Sequence, residues 1–194
     1  MNKTYCVILA AGLSSRMGRY KPLLPVNGQP AIVHLITTMQ DAGVDHCIIV
    51  TGYCADDLKN ACRTLDHVSF VHNPHYASTQ MLDSAKIGFR AVPDACSRIL
   101  FTPADIPLIP VSVVRELLKC PDPLIYPVCR DQKGHPVSIK KDYLEQIISF
   151  NGNHGLRGAL DSLPVDPAYL ETDDPGILMD MDTPEDYQKI LERI

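Results

Sequence analysis

Four times within the first 105 residues a short apolar run breaks into a polar turn. Val7-Ile8-Leu9-Ala10 leads into Ala11-Gly12-Leu13-Ser14. Cys47 to Val50 ends in Thr51-Gly52. Val68 to Val71 ends at Asn73-Pro74, and Ile99 to Thr102 ends at Pro103-Ala104-Asp105. Between these runs the apolar period changes. Ile32, Leu35, Ile36 and Met39 recur at helical spacing, with Gly43 as a stop, and Ala55, Leu58, Ala61, Cys62 and Leu65 mark a second helix. Met81, Ala85, Gly88, Phe89 and Val92 mark a third, and Val114, Leu117 and Leu118 the next. Strands and helices that alternate in this order build a mostly parallel sheet with helices on both faces.

The second half is less regular. Leu124 to Cys129 and Pro136 to Lys140 read as strands around the turn Asp131-Gln132-Lys133-Gly134, which predicts a small β-hairpin. Leu144, Ile147 and Ile148 suggest a helix, and Asn151 to Gly155 a loop before another. Ile177 to Met181 reads as a last strand. Thr183-Pro184-Glu185-Asp186 then opens a final helix, with proline at its first position and an acid three residues after the threonine. No repeat, low-complexity stretch or long linker divides the 194 residues, so a single domain is expected over 1–194.

A net charge of −5 argues against a nucleic-acid partner, which needs basic patches. It leaves room for a small anionic ligand held by local cations. The seven cysteines form no C-x-x-C pair, and several fall in apolar runs. Free thiols in a reducing cytoplasm are the expected state. Arg16, Arg19 and Lys21 follow the first apolar run at once, unlike a secretory leader, and no run approaches membrane-spanning length.

The opening loop carries the strongest chemistry. It is not a P-loop: Gly12 to Gly18 is one residue too long, and no Gly-Lys-Ser/Thr follows. Backbone amides from Gly12 to Ser15 can still hold phosphate oxygens, with Arg16 as a bidentate fork and Lys21 as a point charge. Asp105 faces the same crevice from the fourth strand, where a carboxylate can bind Mg²⁺ or simply form a turn. Asp180 and Asp182, two apart on the expected last strand, point to one face, and one or both can complete a metal site. Asp182 also suits a helix start, where an acid is favourable anyway. His135 and His154 lie in glycine-bordered loops, whereas His34, His46 and His67 lie in or beside periodic segments.

Leu9 to Pro25, which reads L-A-A-G-x-S-x-R-M-G-x-x-K-x-L-L-P, resembles the signature of the molybdenum-cofactor nucleotidyltransferase group. Matching pieces follow in order to Asp180-Met181-Asp182-Thr183-Pro184-Glu185-Asp186. They include Met81 with Ser84, Pro103 to Pro107, Gly134-His135-Pro136 and Gly155 to Arg157. The resemblance implies a Rossmann-like three-layer α/β/α domain that binds a nucleoside triphosphate with Mg²⁺. Residues 1–110 would form its nucleotide half and 111–194 its acceptor half. Arg16, Lys21 and Asp105 would be catalytic. The nucleotide would lie against Leu9, Ala10, Ala11, Gly12, Ser14, Ser15, Arg16, Lys21, Thr51, Gly52, Asn73, Met81 and Ser84. Asp105, with Asp180 or Asp182, would bind the metal. Gly134, His135, Pro136, Asn153, His154, Gly155 and Arg157 would face the acceptor.

Guanylyl members of the group read L-A-G-G where cytidylyl members read L-A-A-G, so Ala11 favours CTP. Gln80 departs from the glycine that usually precedes the methionine of the G-M-x-x-S motif. The implied reaction moves a nucleotidyl group, CMP from CTP, to a phosphorylated acceptor, molybdopterin or molybdenum cofactor, and releases pyrophosphate. Molybdoenzyme-maturation partners would follow from that acceptor. A sugar 1-phosphate, a polyol phosphate or phosphocholine is the alternative acceptor, and a nucleotide-binding accessory protein the non-enzymatic alternative.

Overall fold

The structure is a computed structural model that describes residues 3–14 and 17–194. Chain order runs β1 (Lys3–Ala10), β2 (Pro25–Val26), β3 (Gln29–Pro30), α1 (Ala31–Ala42), β4 (His46–Thr51), α2 (Ala55–Ala61), β5 (Val68–His72), α3 (Met81–Arg90), β6 (Cys96–Pro103) and α4 (Val111–Lys119). Then come β7 (Leu124–Cys129), β8 (Gln132–Lys133), β9 (Val137–Lys140), α5 (Leu144–Ser149), α6 (Gly155–Asp161), β10 (Ala168–Glu171) and α7 (Pro184–Leu191). Among the described residues no helix is long and apolar enough to cross a membrane.

One eight-stranded sheet has the order β10-β7-β9-β6-β1-β4-β5, with β8 paired to β7. β1 pairs in parallel with both β4 and β6, and β4 with β5. The chain therefore leaves β1 toward one edge and later returns to its other side at β6. Alternation along β1 sends Cys6, Ile8 and Ala10 into a core under α1, α2 and α4. Val7 enters the opposite core under α3, α5 and α6. Both cores are closed by fully buried aliphatics, each worth roughly 1.5–3 kcal/mol when removed from water. The chain thus folds as a three-layer, mostly parallel Rossmann-like domain. Gly43 ends α1 at φ 106°, a left-handed cap that favours glycine.

The strands expected around the 131–134 turn do pair antiparallel, at Leu124↔Ile139 and Ile125↔Ser138. Both are built into the main sheet, because β9 also pairs antiparallel with β6. β10, which has no strong sequence signal, extends the far edge in parallel with β7.

The expected strand at Ile177 to Met181 is not formed. Pro175–Ile177 is instead a 3₁₀ turn, capped where the Asp174 carboxylate accepts the Gly176 N–H at 2.8 Å. Asp174 is itself held by the Arg193 guanidinium at 2.7 Å. Asp180 and Asp182 therefore do not share a strand face. Among the described residues two ladder-like bonds remain: Ile177 O accepts the His135 N–H, and Asp105 O accepts the Met181 N–H. They lay the 175–182 segment across the end of the sheet.

Gly176 is what allows this segment to lie so close. A Cβ there would sit 2.1 Å from Leu108 O, a backbone atom that cannot rotate away. Gly176→Ala is expected to cost about 1–3 kcal/mol by overpacking. Urea denaturation measures it; an unchanged midpoint would show that the segment is not wedged.

Candidate active site

β1 and β6 part at their carboxyl ends, where open α/β sheets bind ligands. A cavity of about 240 Å³ opens there. Leu9, Ala10, Ala11, Gly12, Ser14 and Lys21 line it from the β1 side, and Pro103, Ala104 and Asp105 from β6. Met81 and Ser84 line it from the start of α3. Ser15 and Arg16 lie outside the described residues.

Lys21 begins a 3₁₀ turn and points inward. Its backbone N–H donates to Ser14 Oγ at 3.1 Å, and Tyr20 behind it donates to Ala10 O at 2.6 Å. Its ammonium donates to Asp182 Oδ1 at 2.6 Å and to Asp105 Oδ2 at 3.1 Å. The Lys21 side chain is 11% exposed, against 27% for Asp105 and 38% for Asp182. Burial works against the charge. The hydrogen bonds and negative charges of Asp182 and Asp105 outweigh it, and the Lys21 pKa is raised. Residues 21, 105 and 182 thus meet at one point.

Asp180 plays a different part. Desolvation, with the charges of Asp182 and Asp105, raises its pKa, and the neighbouring Asp182 backbone opposes the shift. On the other side, Thr183 N donates to Asp186 Oδ2 and Thr183 Oγ1 accepts from Asp186 N, a reciprocal cap on α7. This cap fixes the chain immediately after Asp182. No group of three or more His, Cys, Asp or Glu shaped to hold a metal occurs among the described residues. Two converging carboxylates, Asp105 and Asp182, are a hard-oxygen donor set. They fit a small divalent cation that takes one or two protein carboxylates and completes its shell with phosphate and water.

Thr51, Gly52 and Asn73 do not line the cavity; they shape its wall. Thr51 is fully buried, its hydroxyl donating to Val71 O at 3.3 Å. A Cβ on Gly52 would meet Ala11 O and Tyr76 Cβ at 2.6 Å, so glycine lets the 73–80 loop close on β1. Asn73, 1% exposed, donates to Thr79 Oγ1 at 2.8 Å and Ser84 Oγ at 2.9 Å and accepts the His75 N–H at 2.9 Å. Its amide is consumed in ordering that loop. Tyr76 and Thr79, which the sequence did not place at the site, line the cavity as a result, together with Gln80. Asp83 accepts the Gln80 backbone N–H at 2.8 Å and fixes the start of α3.

A second cavity, about 400 Å³, shares Met81 with the first. Gly134, His135 and Arg157 line it, while Pro136 is buried beside it. Asn153, His154 and Gly155 line a third, about 500 Å³, which shares Gln80 with the first. The expected acceptor residues are thus split between two neighbouring hollows. Lys133, Tyr126 and Asp161 of the second cavity were not anticipated. Lys133 Nζ rests 4.5 Å from the centre of the Tyr126 ring and 5.3 Å from that of Tyr169, a cation–π perch. Its signal in the sequence was a cation immediately before Gly134-His135-Pro136, masked there as a turn residue.

Residues 6–168 match the protein family described as MobA-like NTP transferase domain. The molybdenum cofactor cytidylyltransferase of Escherichia coli K12 is 33% identical over 197 residues, covering 100% of this chain and 98% of its own. Among solved structures, Rv0371c from Mycobacterium tuberculosis H37Rv superposes with a TM-score of 0.85 at 23% identity, over 98% of both chains. The same protein in complex with manganese gives a TM-score of 0.80 at 22% identity, over 100% of both.

His135 gives this region a pH signature. Burial lowers its pKa from the ordinary 6.5, although the Phe101 carbonyl and Asp105 oppose the shift. Between the lowered folded value and 6.5 the unfolded chain binds more protons, so stability is lost as pH falls through that window. Urea midpoints should be lower at pH 5.5 than at pH 7.5, both values bracketing about 6.5. His135→Gln should shrink the difference; the same difference in wild type and variant would remove His135 as a source.

Proposed function

The chain belongs to the MobA-like NTP transferase family and is a nucleotidyltransferase, and from that premise we propose that it transfers CMP from CTP to a phosphorylated acceptor of the molybdopterin class. Mg²⁺ is the proposed metal and pyrophosphate the second product. The observation that carries this reading is the meeting of Lys21, Asp105 and Asp182 at the switch point of the sheet, beside a second cavity rimmed by cations.

CTP is supported by Ala11, 6% exposed in the wall of the first cavity. Its methyl group crowds a purine more than a pyrimidine. The name of the Escherichia coli relative agrees with that choice. In this reading residues 1–110 bind the nucleotide and 111–194 bind the acceptor, with Asp182 returning to the first half. Ala10, Gly12, Ser14, Lys21 and Ser84 hold the nucleotide; Ser15 and Arg16 are proposed to join them. Thr51, Gly52 and Asn73 act by holding the wall. His135, Arg157 and Lys133 face the acceptor.

The chemistry needs no protein base. A phosphomonoester has its second pKa at about 6, so the acceptor oxygen is already largely ionised at neutral pH. That oxygen bonds to the α-phosphorus while the bond from the α-phosphorus to the departing pyrophosphate breaks. The difficulty is bringing anion to anion. Lys21 and the loop amides orient the triphosphate and neutralise part of its charge. Lys133 and Arg157 draw the acceptor phosphate toward Met81, the wall between the cavities. Neutral His135, with Nδ1 turned to Phe101 O at 3.4 Å, leaves its other ring nitrogen as an acceptor for a substrate N–H or O–H. Mg²⁺ bound to Asp105 and Asp182 would supply charge screening at the α-phosphate.

Pyrophosphate release from CTP, GTP, ATP and UTP, with Mg²⁺ and with or without molybdopterin, tests the proposal. Release with CTP that depends on acceptor is expected. Release only with GTP would overturn the base choice, and no binding of any nucleotide the reading itself. Lys133→Ala should raise the KM for acceptor about tenfold or more, the value of a lost charge-assisted hydrogen bond, and leave the KM for CTP unchanged. An unchanged acceptor KM would take Lys133 out of the site.

A further inference from the structure

We infer that Lys21 is an internal counter-ion that couples metal binding to nucleotide binding: it holds Asp105 and Asp182 until phosphate oxygens draw its ammonium away. The inference rests on the first cavity being the nucleotide site. It goes beyond that reading by making one side chain serve two anionic partners in turn.

The geometry sets up the competition. The ammonium lies 2.6 Å from Asp182 Oδ1 and 3.1 Å from Asp105 Oδ2, so two of its three N–H donors are spent on the same two carboxylates. A magnesium-sized cation must approach such oxygens to about 2.0–2.1 Å. It cannot share them with an ammonium already seated between them, because the two cations would be in contact. Lys21 must therefore leave before Asp182 Oδ1 and Asp105 Oδ2 can both turn to a metal.

The surroundings allow that exchange without refolding the site. The backbone of Lys21 stays fixed through its N–H to Ser14 Oγ. Movement is confined to the flexible four-carbon stem, which already lines the cavity beside Gly12 and Ser14. The carboxylates remain where they are when the ammonium goes. The backbone around Asp182 is held by the Met181 N–H on Asp105 O before it and by the Thr183–Asp186 cap after it. Asp105 is held through its carbonyl, which accepts the Met181 N–H. Triphosphate oxygens entering beside Gly12 and Ser14 offer the ammonium stronger anionic partners, and its departure releases Asp182 Oδ1 and Asp105 Oδ2 from the ammonium. By linkage, metal then tightens nucleotide binding by the same factor as nucleotide tightens metal binding.

Mn²⁺ binding, read from the electron paramagnetic resonance signal of the free ion, tests this without turnover. It is titrated into the wild type alone, into the wild type with CTP and no acceptor (corrected for the Mn–CTP complex in solution), and into Lys21→Met alone. The wild type should bind Mn²⁺ about tenfold or more tightly once CTP is present, within the usual range of coupling between sites. Lys21→Met without nucleotide should bind Mn²⁺ more tightly than the wild type without nucleotide. Equal or weaker binding by a folded Lys21→Met overturns the inference, and Lys21→Gln replaces it if the methionine variant does not give a cooperative melt. A crystal structure of the wild type with CTP and a chelator gives an answer free of any substitution. Lys21 Nζ off at least one carboxylate supports the exchange, and Lys21 on both overturns it. If CTP does not bind at all, the nucleotide reading falls; the Mn²⁺ comparison of variant with wild type still decides whether Lys21 blocks the carboxylates.

Discussion

The last rung between β1 and β6, from Ala104 N–H to Leu9 O at 2.9 Å, is the constraint from which the site follows. Up to that bond the two strands run in register, Leu9 beside Pro103. Beyond it they part: one chain bends into the Ala11–Ser14 loop, and the other turns at Asp105. The cavity is the space between them. Because β4 and β6 flank β1 on opposite sides, no neighbouring strand covers that gap. Lys21 then spans it, tied to one side through Ser14 and to the other through Asp105.

Much of this was legible in the sequence because it is written locally. Apolar period and turn residues mark β1, β4, β5 and β6 with their helices, and the polar ends of these strands mark the crevice. The misread segment, Ile177 to Met181, shows the limit. Its residues suit a strand, but Asp174 and Pro175 commit the chain to a turn just before it, and Arg193, distant from it along the chain, secures Asp174. Asn73 is a similar case. The resemblance implied a nucleotide contact for it, and the structure adds three local hydrogen bonds of its amide, which order the loop beside the cavity. Lys133 was passed over for the opposite reason: it read as a turn residue, and one of its ring partners, Tyr169, lies on β10, which has no strong sequence signal.

Gln80 departs from the motif implied by resemblance, and in the structure it caps α3 in a reciprocal box with Asp83. Asp83 accepts the Gln80 N–H at the first turn of α3, satisfying a donor that a helix start otherwise leaves open. The same turn presents Met81 and Ser84 to the first cavity and Gln80 to both the first and the third. Lys86, one turn along α3, donates to Phe150 O and ties the 150–155 loop to the same helix.

The 175–182 segment touches the His135 turn through Ile177 O and the Asp105 turn through Met181 N–H within a span of five residues. It works as a common lintel over both doorways. On the proposed reading, recognition of the acceptor is therefore not a detachable module in this protein. A 131–136 turn borrowed from a relative with a different acceptor would arrive without the lintel shaped to it, and the mismatch would be felt at the carboxylates of the other cavity. Diversification of acceptor choice on this scaffold must move two distant stretches of chain together, which makes it slower to evolve than a change confined to one loop.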